Sequence, residues 1–293
     1  MHPIERLRYV ARSSGIPQRL VVDETARALM GFSSDQLGLV TACRRVVERH
    51  RSCGALVWMA ARVMTSSDPV AEIRRCATAV AGDPTGRLLA DALAPDATIV
   101  MLGWPEESPV ALGRRGDVAV LVVDSFGEGA ELADELSAVD VAACAVRVEG
   151  LGAAVAAVAQ AGGVVVLEAD AVGPTHALAV AGSLAAASTA RALGVPVWLV
   201  VPCGRSQPGV MWDRFVARLA PGSAGRLPEL GVDPVGDPAG DPAFDSGFDS
   251  GFDIVPLSLV DVVVRPTGLT DVASMVASPD CPSAPELFAG DVF

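Results

Sequence analysis

Through the first third of the chain, apolar positions recur at helix spacing. Ile4, Leu7 and Val10 form one such set. Leu39, Val46 and Val47 form another, set among Arg44, Arg45, Glu48 and Arg49. Ser34-Asp35 ahead of Leu37 reads as a helix start, and Asp68-Pro69 opens a further helix with proline in its tolerated first turn. Asp83-Pro84 breaks the pattern again. Residues 1–95 are therefore expected to form an N-terminal helical bundle.

From residue 96 the period changes. Thr98–Leu102, Val118–Val123, Ala142–Val148, Val164–Leu167 and Val195–Val201 are short apolar runs. Helical stretches lie between them at Glu128–Ser137, Gly152–Gln160 and Gly182–Leu193. Continuous apolar strands separated by helices mark a parallel sheet covered on both faces. The expected fold is α/β, with the helical bundle followed by a Rossmann-like, doubly wound, mostly parallel sheet over 96–293. Ligands are expected at the carboxyl ends of its strands. Residues 221–251 interrupt the order with repeated Asp-Pro and Phe-Asp-Ser-Gly. So polar and glycine-rich a stretch buries too little to offset its ordering entropy, and it reads as a disordered acidic insert. Phe252–Val260 resumes order, and Val262–Val264 reads as a last strand.

Composition removes several functions. The chain has 293 residues and a formal net charge of −13, with no Lys and no Asn. A Schiff-base lysine, a Walker lysine and a Cys-His-Asn triad are all excluded. The acidic balance argues against nucleic acid as a partner. Six scattered cysteines without a C-x-x-C pair argue against a zinc site and for reduced thiols, so no metal is expected. Glu5, Arg6 and Arg8 leave Met1–Val10 without an apolar signal core, and no run is long enough to span a bilayer. A cytoplasmic protein without membrane contact is expected. Gly150-Leu-Gly152 lacks the remainder of a dinucleotide fingerprint, and no cofactor is expected.

Three stretches carry a family resemblance. Leu167-Glu-Ala-Asp-Ala-Val172, with Gly182-Ser183 and Gly194-Val-Pro-Val197 after it, is similar to a G-A-D-x-V … N-K-x-G-T … G-V-P-V signature. Phe252-Asp-Ile-Val-Pro256 with Val262–Val264 and Gly268 resembles an F-D-x-x-P … I-T-x-x-G ending, and Val123–Gly129 an altered T-E-S-R-P-x-x-E-G turn. These are marks of the superfamily of initiation factor 2B α/β/δ subunits, methylthioribose-1-phosphate isomerase and ribose-1,5-bisphosphate isomerase. In its isomerases the resemblance implies a Cys and an Asp working on an open-chain aldose phosphate. Asp170 matches that Asp. Met101-Leu-Gly-Trp-Pro105 stands where the Cys belongs, Phe126 replaces the turn Arg, and Ala179-Val180 replace Asn-Lys.

The resemblance thus implies a non-catalytic or regulatory protein that binds a small phosphorylated metabolite, a sugar phosphate or nucleotide. It also implies a homodimer formed through the α/β domain. The alternative is an isomerase with a rearranged acid/base set, drawn from Asp170, Cys203, His176 and Glu168. Cys203 follows a strand, with Arg205 two residues on to lower its pKa or hold a phosphate. His176, in the loop after Asp170, reads as a candidate acid or base or as merely exposed. Glu168 reads as a substitute acid or an exposed turn carboxylate. Expected ligand contacts are Gly103, Asp124, Ser125, Gly182, Ser183 and Arg205, with Gly182 and Ser183 offering an amide and a hydroxyl to an anion.

Overall fold

A computed structural model of the chain describes residues 17–32, 35–219 and 251–289. The first helical set at Ile4–Val10, and all of the acidic insert but Gly251, lie outside the described residues. Five helices come first: α1 (Gln18–Leu29), α2 (Gln36–Arg49), α3 (Gly54–Thr65), α4 (Pro69–Ala81) and α5 (Thr85–Ala92). Asp35 caps α2 by accepting from the Gly38 amide, and Asp68 caps α4 by accepting from the Ala71 amide. α3 is apolar nearly all round and is buried along its length, which makes it the central helix of the bundle.

The sheet contains β1 (Thr98–Leu102), β2 (Ala119–Asp124), β3 (Ala142–Arg147), β4 (Val164–Val172), β6 (Val197–Val200), β8 (Val262–Arg265) and β9 (Gly268–Thr270). Their order is β3-β2-β1-β4-β6-β8-β9, parallel except for the β8–β9 hairpin. The connecting helices are α6 (Ser108–Leu112), α7 (Gly129–Ala138), α8 (Leu151–Ala161), α9 (Ser183–Leu193) and α10 (Gly209–Ala217), and α11 (Val272–Ala277) follows β9.

Both faces of the sheet are covered. Val100, Val165, Leu167 and Leu199 pack with Val155 of α8 and Ala187 of α9. Their alternates Ile99, Met101, Val120 and Val200 pack with Leu89 of α5 and Leu132 of α7. Burial on both sides is why these strands read as unbroken apolar runs. Chain order reverses between β1 and β4, which puts the topological switch point, and its crevice, at their carboxyl ends.

β4 runs past the parallel sheet. Val165–Glu168 pair with β6, whereas Ala169–Val172 pair antiparallel with β5 (His176–Val180), which pairs in turn with β7 (Phe252–Pro256). The register slips between Ala169 and Ala171, so a bulge falls at Asp170. His176 accordingly begins a strand rather than lying in a loop. Where β4 leaves the sheet, α3 presses on it. A Cβ on Gly54 would lie 2.4 Å from the Asp170 carbonyl oxygen, so only glycine permits this approach. Ala171 and Leu178 complete the bundle's core beside Leu56, Met59 and Phe215.

Candidate functional site

The β1–β4 crevice opens into a cleft of about 1210 Å³ between the bundle and the strand ends. Glu168, Asp170, Ser183 and Arg205 line it. Gly103, Asp124, Ser125, Gly182, Cys203 and His176 are not among its lining residues.

After β1 the chain turns through Trp104-Pro105-Glu106-Glu107 into α6, and three successive amides point at one spot. The Glu168 carboxylate sits there. It accepts from the amides of Glu106 (2.9 Å), Glu107 (3.1 Å) and Ser108 (3.0 Å), and from the Ser108 hydroxyl (2.8 Å). The chain therefore supplies its own anion to a backbone nest at the switch point. Burial raises the Glu168 carboxyl above the usual range, opposed by the charge of Arg205 and by the Ser108 bonds.

The same arrangement recurs along the edge. Asp124, at the end of β2, accepts from the amides of Gly127 (2.6 Å) and Gly129 (3.2 Å) at the start of α7. Asp253 of β7 accepts from Gly182 and Leu184, both at 2.9 Å, at the start of α9. Ser125 donates to the Ala181 carbonyl at 3.0 Å, joining the loops after β2 and β5. One donor at the start of α9 stays uncommitted: the buried Ser183 Oγ has no hydrogen-bond partner among the described residues.

Arg205 is buried, with its side chain 4% exposed. It donates to the Ala169 carbonyl at 2.7 Å, pairs with Glu106 at 3.1 Å and lies 3.9 Å from Asp170. Burial works against its charge, but Glu106, Asp170 and Glu168 together hold it protonated. Gln18 of α1 donates to Asp170 Oδ1 at 2.7 Å, and its carbonyl accepts from the Ala55 amide and the Cys53 thiol. The Gln18 amide also bonds Glu106. This network ties the first described helix of the bundle to the switch point. Burial lifts Asp170 to about 6; Arg205 and Gln18 pull it down, and Glu106 and Glu168 push it up. Glu107 rises to about 7, through burial and then through Glu168 and Asp83.

Cys203 stands apart from this cluster. Its amide donates to Asp83 at 2.5 Å, and its thiol is pushed up to about 12 by burial and by the charges of Asp83 and Asp280. A thiol so placed stays protonated at neutral pH and is a poor nucleophile. Arg205, turned toward Glu106 and Ala169, does not offset those acids. His176 contacts the hydroxyl of Thr175 at 2.9 Å.

Glu106, Glu107 and Gln18 carry no local motif that marks them, whereas Asp253 lies in the Phe252–Pro256 stretch of the family resemblance. Ser108-Pro109 after the Glu pair was the available signal, because proline in a first turn announces a helix start. Among the described residues, no group of three His, Cys, Asp or Glu is arranged to hold a metal. No described helix is long and apolar enough to cross a membrane.

No family model and no curated protein matches the chain. Solved structures do. The fold is that of initiation factor 2B subunits and of methylthioribose-phosphate isomerase, an α/β domain behind a helical bundle. A translation initiation factor eIF-2B from Pyrococcus horikoshii superimposes with a TM-score of 0.68 at 14% identity, over 92% of this chain and 96% of that one. The tetrameric eIF2B-beta2-delta2 complex from C. thermophilum gives 0.71 at 16%, over 94% and 92%. 5-Methylthioribose 1-phosphate isomerase from Pyrococcus horikoshii gives 0.59 at 16%, over 92% and 84%.

Proposed function

We propose that this chain is a divergent member of the initiation-factor-2B and aldose-phosphate isomerase superfamily that binds without catalysing. The observation that carries the reading is the seat of Glu168, whose carboxylate fills the three-amide nest at the switch point. Two further features support it. Cys203 is held as a neutral thiol, the stretch Met101–Pro105 stands where the family's Cys belongs, and Phe126 and Ala179-Val180 replace its Arg and Asn-Lys. Proton transfer between adjacent carbons needs an acid and a base around the substrate, and the carboxylates of Glu106, Glu168 and Asp170 are engaged with Arg205, Gln18 and backbone amides.

The ligand in this reading is a sugar phosphate or nucleotide whose phosphate engages Ser183 at the start of α9, an uncommitted donor in the cleft. The protein works in the cytoplasm as a homodimer joined through its α/β domains. Calorimetric titration of ribose-1,5-bisphosphate, methylthioribose-1-phosphate and AMP into wild type and Ser183→Ala tests the binding. One of the three should bind wild type and lose about tenfold in affinity with the variant, the worth of one hydrogen bond to a charged group. Equal affinity in both proteins, or no binding by any of the three, rejects this ligand assignment. Sedimentation should give about twice the 30.0 kDa chain mass.

One observation favours the second reading, an active aldose-phosphate isomerase. Asp170 sits at a bulge on the cleft with its carboxyl near 6, and Glu107 lies near 7, values suited to proton transfer. Turnover that vanishes in Asp170→Asn would establish that reading in place of the first.

A further inference from the structure

Two aromatic side chains stand open on the cleft. Trp104, in the turn between β1 and α6, is 37% exposed, and Phe126, in the turn between β2 and α7, is 54% exposed; both line the cleft. A ring left open in this way offers a flat, conjugated ligand a face to stack on. Phe126 stands where the family resemblance has Arg, so this wall carries a ring in place of a cation. Ser183 lines the same cleft, with its buried Oγ lacking a hydrogen-bond partner among the described residues.

The fold brings these three residues to one place. Ser125 donates to the Ala181 carbonyl at 3.0 Å, and a Cβ on Gly182 would lie 3.9 Å from Ser125 Oγ. Phe126 therefore leaves β2 alongside the turn into α9. A Cβ on Gly103 would lie 3.1 Å from Val180 Cγ2, so Trp104 leaves β1 against the end of β5, just ahead of Ser183. Charge then decides which end of a ligand lies where. Glu128 and Glu135 line the cleft beside Phe126, against Arg114 as the cation there. Their excess of acid turns a phosphate away from the rings, while their oxygens can accept from the N–H groups of a base.

We propose that Trp104 and Phe126 form a base subsite, and that the cleft takes a nucleoside monophosphate with its base stacked on the two rings and its phosphate at Ser183. This rests on the phosphate seat proposed above and narrows the ligand to a nucleotide. A sugar bisphosphate would set its second phosphate against Glu128 and Glu135, and it offers the rings nothing to stack on.

The test is calorimetric titration of AMP, GMP, CMP, UMP and ribose 5-phosphate into wild type, Trp104→Ala, Phe126→Ala and Ser183→Ala. At least one nucleotide should bind wild type about tenfold tighter than ribose 5-phosphate, which carries the same phosphate without a base. Each aromatic variant should lower that nucleotide's affinity about tenfold and change that of ribose 5-phosphate by less than about twofold, which also shows that the variant is folded. Nucleotides that bind no tighter than ribose 5-phosphate, or that bind both aromatic variants as well as wild type, would overturn the base subsite; the phosphate seat would survive if Ser183→Ala still weakened binding. Loss in the aromatic variants with none in Ser183→Ala would uphold the base subsite and reject the phosphate seat. No binding by any of the four nucleotides would overturn both.

Discussion

Replacing Asp170 by Asn should stabilise the protein at neutral pH. The carboxyl is lifted from its ordinary value to about 6, with burial as the leading cause. Arg205 is the cation beside it, and Glu106 takes that cation's close contact at 3.1 Å while Asp170 lies at 3.9 Å. The folded state therefore holds a proton that the unfolded chain releases near pH 4. The stabilising contribution of that proton is fully present below pH 4 and is lost as pH rises through 6. Above 6 the ionised carboxylate costs ~3 kcal/mol if wholly dry, at ~1.4 kcal/mol for each tenfold change in proton affinity. With a quarter of the side chain in contact with water, about 2 kcal/mol is the working figure. Asn keeps an oxygen to accept from Gln18 and removes the charge. Urea denaturation at pH 7.5 should show the variant about 2 kcal/mol more stable than wild type, with the gap closing toward pH 5. A variant less stable than wild type at pH 7.5 would overturn this expectation, because attraction to Arg205 would then outweigh burial.

Glu107 and Glu168 are raised in the same sense, so wild type itself should gain stability between pH 7.5 and 5.5; a monotonic loss over that interval would mean that burial does not dominate their ionisation. Iodoacetamide at pH 8 should modify the exposed Cys144 well before Cys203, and comparable rates would mean that the Cys203 thiol is not held near 12. Gly54→Ala should cost about 3 kcal/mol and loosen the bundle from β4, because its Cβ would fall 2.4 Å from the Asp170 carbonyl; a change under ~0.5 kcal/mol in urea melts would show that α3 is free to shift. Glu168→Ala strips the anion from the three-amide nest and should lower stability by about 2 kcal/mol, whereas a neutral outcome would mean the nest is satisfied by water.

The parallel sheet was legible because its strands are buried on both faces. Ile99 and Val100, or Val165 and Val166, face opposite layers and are all apolar, which leaves continuous runs in the chain. The continuation of β4 through Val172 was not legible, since Glu168 and Asp170 break the run and their burial depends on partners far along the chain. β5 was hidden for another reason: His-Ala-Leu-Ala-Val has one strong strand former, Val180, and is held by pairing on both sides. Asp170 and Ser183 could be named from the resemblance, Glu168 and Arg205 from their places at strand ends, and the four do share one cleft. Their environment could not be named. Gln18 reaches Asp170 across 152 positions and Glu106 reaches Glu168 across 62, and no local pattern encodes such contacts.

Whether the strand ends bind without isomerising is decided by phosphorus NMR of wild type incubated with ribose-1,5-bisphosphate and, separately, with methylthioribose-1-phosphate. The aldose-phosphate signals should persist unchanged over hours, with no ketose product. Conversion at catalytic enzyme concentration, abolished by Asp170→Asn, would show instead that the site is an isomerase.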